Sequence, residues 1–271
     1  MWSFVIGFGC SALVAYSAYK RSSLSFSGML AAMAMGTVFF GMGSLFWYGI
    51  LLAFFVSSSV MSHVKKSNKE TYEAAYEKTG RRDAGQVFAN GGIGMLLCIA
   101  FAFEPSPAIV AAFVGVMATV TSDTWATEIG SLSRSQPRSI LTWRRIPTGT
   151  SGGVSVLGTL AAMCGGLFIG LCAAVFDMLS PIDQGVPVYL YLLMGWIGGT
   201  VGAFTDSLMG ATCQVMYRCP KCGKMVERKD HCGVSTERVR GLSWMNNDRV
   251  NWISSCAGGL ITMLLLYLAG I

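Results

Sequence analysis

Long apolar stretches dominate this chain of 271 residues. Several of them run for about 18 residues or more, the length that an α-helix needs to cross roughly 30 Å of hydrocarbon. Charged residues make up only 13% of the chain, against about 25% in soluble domains. The composition excludes a soluble enzyme, a disordered protein and a disulfide-rich secreted domain. Short alternating segments typical of a porin-like barrel are not seen either.

The apolar stretches predict an all-α, polytopic membrane protein that forms one integral domain over 1–271. The predicted transmembrane helices, eight in number, are roughly 2–19, 24–41, 44–62, 84–103, 107–123, 152–176, 187–205 and 251–270. The stretch 24–62 is too long for one crossing, and we predict a break at Gly41-Met42-Gly43. The first span is followed by Lys20-Arg21 and has no basic segment before it. It is therefore predicted to be an anchor and not a cleaved signal.

The basic residues fall on one side of the predicted membrane. With the N-terminus outside, all 20 Lys and Arg residues lie in loops on the same side, and the opposite loops carry only Glu104, Asp177 and Asp183. The positive-inside rule makes the basic side cytoplasmic in a cell membrane, with both termini outside. The net charge of +6 then describes one face, which attracts anionic lipid head groups and phosphorylated ligands. Nucleic acid is not an expected partner, because the basic residues are spread over four loops and no binding motif accompanies them.

The segment 63–83 is the most polar stretch in the first half of the chain. Glu70, Glu73 and Glu77 recur at helical spacing, so we predict a cytoplasmic connector helix with a solvated face. Arg81 and Arg82 follow at the membrane surface. They either hold a phosphate or anchor the next span in the head-group layer.

Polar motifs that are unusual in membrane helices gather at the cytoplasmic ends of the later spans. In chain order they are Asn90-Gly91-Gly92, SDTWATE at 122–128, TGTSGGVS at 148–155, TDS at 205–207 and NNDRVN at 246–251. A single carboxylate at a helix end can simply be solvated, but four on one face favour a ligand role, because acids in a membrane are costly. The four are Asp123, Glu128, Asp206 and Asp248. They suit Mg²⁺, which is held by one or two carboxylates together with substrate phosphates.

Neutral side chains and glycines surround these acids. Asn90, Gln214, Asn247 and Asn251 offer oxygen and amide groups that can complete a metal shell. The segment Gly149-Thr150-Ser151-Gly152-Gly153 precedes the sixth span, where exposed backbone N–H groups and the helix dipole can bind a phosphate. Close packing of glycines between membrane helices is the alternative. No GKS or GKT follows, so the segment is not a Walker A loop.

Two segments suggest an internal duplication. GVMATVTSDT at 115–124 and GGTVGAFTDS at 198–207 each place a glycine eight residues before an aspartate. Spans four and five and spans six and seven would then be parallel copies of one two-helix hairpin. Such copies would bring Asp123 and Asp206 to the same depth. A chance match between segments of biased composition is the alternative.

Three cysteines and a histidine have the spacing of zinc ligands within the predicted cytoplasmic loop 206–250. Cys219 and Cys222 form a Cys-x-x-Cys followed by glycine, and His231 and Cys232 come later in the same loop. This pattern over 219–232 predicts a zinc knuckle with a structural Zn²⁺. A cytoplasmic loop disfavours a disulfide, so reduced free thiols are the main alternative. Ligands at adjacent positions are geometrically awkward, and the prediction rests mainly on the first pair.

At these motifs the sequence resembles the membrane family of the plant chloroplast phytyl-phosphate kinase. The motifs are RRDAGQVFANGG, SDTWATEIG, GTSGGVSVLGT, GGTVGAFTDSLMGATCQ and NNDRVN, and the resemblance covers roughly residues 25–270. More distantly, the Asp-Thr-x-Ala pattern at 123–126 is similar to that of dolichol and phytol kinases, which use CTP.

The resemblance implies a Mg²⁺-dependent kinase that converts an isoprenoid monophosphate into its diphosphate. The substrate would be phytyl, geranylgeranyl or farnesyl phosphate, and the donor a nucleoside triphosphate, with CTP favoured. Asp123 and Asp206 would bind Mg²⁺ with support from Glu128 and Asp248, and residues 149–153 would hold the nucleotide phosphates. Arg81, Arg82 or Arg145 would stabilise the transferring group. Asn90, Ser207, Gln214, Asn247 and Asn251 would complete the metal and nucleotide site.

Two other functions fit a polar site in a membrane protein. A transporter of a small ion or solute would also place acids in its spans, but its site is expected near the midplane with access from both sides. A nucleotidyltransferase that forms a CDP-lipid would use a similar site and release pyrophosphate in place of a nucleoside diphosphate.

Overall fold

The computed structural model of the protein describes residues 2–63, 81–180 and 184–271. Its helices are α1 (Trp2–Lys20), α2 (Phe26–His63), α3 (Ala84–Phe103), α4 (Pro107–Gly130), α5 (Val156–Leu179), α6 (Val188–Thr212) and α7 (Asn247–Leu268). Short strands β1 (Arg138–Ser139) and β2 (Gly153–Val154) precede α5. The strands β3 (Met216–Arg218), β4 (Met225–Val226), β5 (Asp230–His231), β6 (Val234–Ser235) and β7 (Glu237–Arg240) lie between α6 and α7. The predicted all-α membrane fold is confirmed. Most of the predicted connector helix, 64–80, lies outside the described residues.

Helix α2 is a hairpin and not one straight rod. Ser44 has φ 77° and ψ −174°, which interrupts the helix, next to the predicted break at Gly41-Met42-Gly43. The rings of Phe40 and Tyr48 stand with centroids 5.4 Å apart, although eight residues of straight helix would separate them by about 12 Å. The seven helices found in the described ranges that are long and apolar enough to cross a membrane therefore account for the eight predicted crossings.

Helix α4 is the centre of the bundle. All its residues from Val110 to Ser122 are buried, and it packs against α2, α3, α5, α6 and α7. Its sequence is apolar on every side over this stretch, which is typical of a helix surrounded by others. Helix α1 lies at the periphery against α2. Asp123 directly follows the buried stretch, so α4 places this carboxylate at one end of the core.

Glycines allow the backbones of α5 and α6 to touch. Gly166 and Gly170 on α5 face Gly195 and Gly199 on α6, and each pair has the spacing of four that lets membrane helices approach closely. A Cβ on Gly195 would lie 2.7 Å from Cα of Gly170 and would meet the carbonyl oxygen of Gly166. No flexible side chain is available there to move aside.

We therefore expect Gly195→Ala to lower the free energy of unfolding by about 1–3 kcal/mol, because the added methyl group overpacks a backbone-to-backbone contact. Gly9→Ala is the matched control, since a Cβ at Gly9 on α1 would have nothing within 4 Å. Thermal unfolding in detergent measures both variants. Equal midpoints for Gly195→Ala and the unsubstituted protein would contradict this packing.

Several site residues that were predicted to lie in loops belong to helices, because three helices extend beyond their predicted limits. Helix α4 continues to Gly130 beyond the predicted end at 123, α6 to Thr212 beyond 205, and α7 begins at Asn247 ahead of 251. Glu128 and Ser207 are therefore helical. Helix α5 begins at Val156 and not at 152, because Gly153 belongs to β2 and the side chain of Ser155 caps the helix by accepting a hydrogen bond from the N–H of Gly158.

A small β-structure connects α6 to α7. Strands β4, β3 and β7 form an antiparallel sheet in that order, and β5 and β6 form a separate hairpin. The apolar cluster of the sheet consists of only three buried residues, Val215, Tyr217 and Val226. We call the segment 213–246 the β-subdomain.

Candidate functional site

A polar cavity of about 390 Å³ opens at one end of the bundle, where the ends of α2 to α7 meet. Most of the residues that the sequence singled out line it. They are Arg82, Asn90, Asp123, Glu128, Gly149, Thr150, Ser151, Gly152, Gly153, Asp206, Ser207, Asn247, Asp248 and Asn251. The motifs predicted to share one membrane face therefore converge on one cavity.

Acidic residues outnumber basic ones in the lining. Five carboxylates reach the cavity, from Asp123, Glu128, Asp206, Glu227 and Asp248, but Arg82 is the one Lys or Arg among the described lining residues. A phosphate alone would be repelled by this charge, whereas a divalent cation with oxygen ligands would be attracted. The charge balance favours a metal ion together with any phosphate-bearing ligand.

Asp206 is held by a network from α7 and α3. Its Oδ2 accepts a hydrogen bond from Ser254 Oγ at 3.3 Å. The amide of Asn251 lies between Oδ2 of Asp206, at 3.0 Å, and Oδ1 of Asn90, at 3.3 Å, so it donates to one or the other according to its orientation. The network fixes one edge of the Asp206 carboxylate and joins three helices around it.

Asp123 faces Asp206 from the neighbouring helix. The two carboxylates repel each other electrostatically, and Glu227 adds to the repulsion at Asp206. Gly115 and Gly198, each eight residues before its aspartate, are in contact, with a Cβ on Gly198 falling 3.2 Å from Cα of Gly115. The two aspartates therefore lie at matching depths, as the suggested duplication requires. The duplication itself stays a prediction.

Arg82 and Glu128 form a second wall. Glu128 Oε1 accepts a hydrogen bond from Ser62 Oγ at 2.6 Å. Burial lowers the pKa of the Arg82 guanidinium and the Glu128 carboxylate opposes this shift; an arginine nevertheless stays protonated at neutral pH. Its Nη1 is buried and has no hydrogen-bond partner among the residues that the structure describes. A buried cationic donor without a partner is an anion-binding group.

The backbone around Arg82 is fixed on both sides. Arg82 N–H donates to Ser23 O, and Ser25 N–H donates to Arg82 O, both at 3.0 Å. Asp83 then caps α3 through a reciprocal pair of hydrogen bonds with Gln86. Arg81 does not line the cavity and donates to Ser22 Oγ at 2.8 Å. The sequence left two interpretations of these arginines, a phosphate contact or a position at the membrane surface. The first fits Arg82, and the second fits the exposed Arg81.

The glycine-rich segment lies against the end of α6. Gly149 and Gly152 have φ values of 84° and 86°, a conformation that favours glycine. A Cβ on Gly152 would lie 2.5 Å from Cβ of Ala211. The segment is therefore a tight loop against a helix end, with the N-terminus of α5 behind it at Ser155 and Gly158, which also line the cavity.

Side chains of the β-subdomain hold this loop from outside. Ser151 Oγ donates to Gln214 Oε1 at 2.7 Å, and Gln214 Nε2 donates to Glu227 Oε1 at 2.8 Å. Arg240 donates to the carbonyl oxygens of Ser151 at 3.0 Å and of Ala211 at 2.6 Å. Gln214 does not line the cavity. It is 2% exposed, and its position links Glu227 to the loop.

Arg145 does not reach the cavity. It is exposed, and its backbone bridges to Arg138 beside the β1–β2 pair. Arg145 is close to the glycine-rich segment along the chain, but after the turn at 140–142 its side chain is exposed. We therefore assign no role in the cavity to Arg145.

The sequence missed several lining residues, of which Glu227 and Ser62 form the contacts described above. Ser62 belongs to the serine-rich stretch SSSVMS at the end of α2, and this polar run near the end of a span was a usable signal. Glu227 follows the Cys-x-x-Cys in a charged loop, and no local pattern distinguishes it from its exposed neighbours.

A second, apolar cavity of about 60 Å³ lies between α1, α2 and α3. Its walls include Met35, Tyr48 and Phe54. The residues that it shares with the polar cavity are Arg82, Gln86 and Asn90. The two cavities therefore meet at the guanidinium of Arg82.

The four predicted zinc ligands come together outside the polar cavity. The ligand atoms of Cys219, Cys222, His231 and Cys232 all lie within 4.8 Å of one another. Although its burial acts in the opposite direction, the pKa of the Cys219 thiol falls to about 6 because the His231 ring and nearby backbone N–H groups hydrogen-bond to the sulfur.

Comparison with known proteins identifies the family. The model of the integral membrane protein family DUF92 matches residues 9–259. The chain belongs to this family. This match confirms the resemblance drawn from the motifs and identifies a multi-pass integral membrane protein.

Relatives at moderate identity cover most of the chain. Protein PGR of Arabidopsis thaliana is 30% identical over 94% of this chain and 93% of its own length. An uncharacterized membrane protein of Methanocaldococcus jannaschii is 30% identical over 91% of this chain and 87% of its own length. Protein VTE6, chloroplastic, of Arabidopsis thaliana is 24% identical over 90% of this chain and 66% of its own length. No solved structure matches the chain.

Proposed function

We propose that this DUF92 protein transfers a phosphoryl group from a nucleoside triphosphate to an isoprenoid monophosphate. The observation that carries the proposal is the meeting of a polar, acid-lined cavity with an apolar one at Arg82, Gln86 and Asn90. An amphiphile with an anionic head group fits this junction. Its head group would contact Arg82, and its chain would lie among apolar helix faces. The motif resemblance described above supports an isoprenoid phosphate as that amphiphile.

The metal in this proposal is Mg²⁺, and the lining fits it. Asp123 and Asp206 offer carboxylate oxygens at matching depth, and Asp248 and Glu128 lie on the same cavity. Asp123 has no hydrogen bond among the described residues that would compete with a metal. A bound Mg²⁺ would neutralise charge on the nucleotide phosphates and on the transferring group.

The nucleotide is proposed to bind on the side of the glycine-rich loop. Gly149, Thr150, Ser151, Gly152 and Gly153 line the cavity there, and backbone N–H groups of such a loop bind phosphate oxygens. Ser207, Asn247 and Asn251 offer further polar groups in the lining. Gln214 acts indirectly, by orienting Ser151. CTP is the favoured donor, on the similarity of 123–126 to CTP-dependent lipid kinases.

The residues act by positioning and by electrostatic stabilisation. An oxygen of the lipid phosphate attacks the γ-phosphorus of the nucleotide, the bond to the β–γ bridging oxygen breaks, and the nucleoside diphosphate leaves. Arg82 holds the acceptor phosphate and offsets charge on the transferring group, as a guanidinium does in other phosphoryl transfers. The acceptor is already an anion near neutral pH, so no strong general base is required.

The proposal also assigns a side of the membrane. The loops that join α4 to α5 and α6 to α7 carry most of the basic residues in the described ranges, and both loops begin and end at the cavity end of the bundle. The positive-inside rule makes that face cytoplasmic, where nucleoside triphosphates are available. The bilayer, the isoprenoid phosphate and the nucleotide are the proposed partners. A transport site at the midplane of the membrane is not favoured, because the cavity lies at one end of the bundle.

Product formation tests this reaction directly. Purified protein in detergent with Mg²⁺ and geranylgeranyl monophosphate is offered CTP, ATP, GTP and UTP separately, and lipid products are identified by mass spectrometry. We expect the diphosphate with at least one donor and its loss with EDTA. Absence of diphosphate with every donor, and with farnesyl and phytyl phosphate as well, would overturn the proposal.

A further inference from the structure

The β-subdomain has too small a core to hold its shape by hydrophobic packing. The apolar cluster of its sheet consists of Val215, Tyr217 and Val226. Even with Met216, Cys219 and Met245 also buried, this is far less than the core of an independently stable domain, and domains of this size usually depend on metals or disulfides. All three of its clustered cysteines are free. Another source of stability is required for the surface that holds Ser151.

The cluster of Cys219, Cys222, His231 and Cys232 has the geometry of a metal site. Its ligand atoms lie within 4.8 Å of one another, while sulfurs at the corners of a zinc tetrahedron with bonds of about 2.3 Å stand roughly 3.8 Å apart. His231 Nδ1 lies 3.5 Å from Cys222 Sγ and 3.2 Å from Cys232 Sγ. Only a small contraction separates the cluster from tetrahedral coordination.

A tight turn allows the adjacent residues His231 and Cys232 to reach the same metal centre. His231 pairs with Val234 in the β5–β6 hairpin, which leaves Cys232 and Gly233 as a two-residue loop. Their φ values of 56° and 75° are those of a type I′ hairpin turn. A cysteine rarely adopts positive φ, and here this conformation brings Cys232 Sγ to the same centre as the preceding histidine.

The cluster lies on the strands that hold the glycine-rich loop. Cys219 follows β3 and Cys222 precedes β4. Glu227, next after β4, accepts the hydrogen bond from Gln214, which in turn binds Ser151. Strand β7 pairs with β3 and carries Arg240, which donates to Ser151 O. One connection therefore starts directly after β4, between which and β3 two of the ligands lie, and the other starts on β7, which pairs with β3.

We infer that Cys219, Cys222, His231 and Cys232 bind one structural Zn²⁺, and that this ion holds Glu227 and Arg240 against the glycine-rich loop. Three thiolates and an imidazole select zinc over the harder ions. Four protein ligands leave no open position, which is typical of a structural site and not a catalytic one. Zinc binding by these four residues does not require that the proposed reaction take place in the cavity.

Metal content tests the first half of this inference. The full-length protein is purified under reducing conditions without chelator, and its zinc is measured by plasma mass spectrometry. We expect roughly one ion per chain and loss of most of it in Cys222→Ser, whose side chain is exposed and whose substitution removes no packing. Cys213→Ser is the matched control, because Cys213 belongs to the same subdomain but not to the cluster.

Zinc content near zero in the unsubstituted protein after incubation with zinc would overturn the site, and so would full zinc content in Cys222→Ser. Reversible removal from the unsubstituted protein with a zinc chelator gives the same test without any substitution.

Hydrogen exchange tests the second half. On zinc removal we expect faster amide exchange at 148–153 as well as at 213–246, with unchanged exchange in the buried stretch 110–122 of α4. Unchanged exchange at 148–153 in protein that has lost its zinc would overturn the link to the loop. Neither readout depends on phosphoryl transfer, so failure of the proposed reaction would not be mistaken for failure of the zinc site.

Discussion

Asp206→Asn is expected to reduce phosphoryl transfer by about 10³-fold or more while leaving the protein folded. The substitution keeps the shape of the side chain but removes a charge from the pair formed with Asp123, and a metal that supplies several kcal/mol of charge stabilisation is then held weakly. Asp123→Asn should have an effect of the same size, because the two carboxylates lie at matching depth on neighbouring helices. Initial rates of diphosphate formation at saturating substrates measure both.

Neither substitution should lower the stability of the fold. Asp123 and Asp206 repel each other, so neutralising one of them removes an unfavourable interaction in the metal-free protein. We expect Mg²⁺ to raise the unfolding temperature of the unsubstituted protein, since a ligand that binds only the folded state stabilises it, and this increase should disappear in both variants. Glu104→Gln, an exposed acid at the opposite end of α3, is the matched control and should keep both activity and the Mg²⁺ effect. Full activity in Asp206→Asn would remove this residue from the metal site.

Arg82→Gln is expected to lower kcat/KM for the lipid phosphate by about 10²–10³-fold, because it removes the guanidinium at the junction of the two cavities and its role in holding the transferring group. Arg82→Lys should recover only part of this loss, since an ammonium group cannot form the two parallel hydrogen bonds that a guanidinium makes to a phosphate. Steady-state kinetics with the isoprenoid phosphate varied at fixed nucleotide measure the effect.

A neighbouring arginine provides the control for this experiment. Arg81 is exposed and donates to Ser22 Oγ, and it does not line the polar cavity. Arg81→Gln should change kcat/KM by no more than about twofold, as expected for a surface substitution. Equal losses in Arg81→Gln and Arg82→Gln would indicate a general effect of basic charge at the membrane surface and would contradict a specific contact with the lipid phosphate.

The membrane crossings and most of the cavity-lining residues could be predicted from the sequence, because both depend on local signals. The length of each apolar stretch predicts a membrane-spanning helix. The break in α2 lies at Ser44, beside the predicted Gly41-Met42-Gly43. Polar groups at span ends are costly to bury, so they collect where a ligand or another polar group can meet them. Asp123, Asp206 and Asn251 could be grouped for this reason, with no knowledge of which helices touch.

The residues that the sequence misplaced depend on the packing of loops. Arg145 follows a turn that carries it away from the cavity, although it lies only four residues before Gly149 in the chain. Gln214 was expected among the cavity ligands and instead links Ser151 to Glu227 from behind. Glu227 reaches the cavity only because the β-subdomain folds back against α6, and no periodicity in the sequence encodes that contact. The placement of His231 and Cys232 in one cluster likewise depends on the positive φ values of Cys232 and Gly233.

The most direct test of the central claim follows the phosphorus atoms of the nucleotide. Purified protein, Mg²⁺ and geranylgeranyl monophosphate are incubated with the nucleotide that supports turnover, labelled with ³²P at the γ-position in one sample and at the α-position in the other. If the cavity is a kinase site, label from the γ-position appears in the lipid and label from the α-position stays in the nucleoside diphosphate. Label in the lipid from the α-position would identify a nucleotidyltransferase. Label in the lipid from neither position would contradict phosphoryl transfer and leave transport as the function to test.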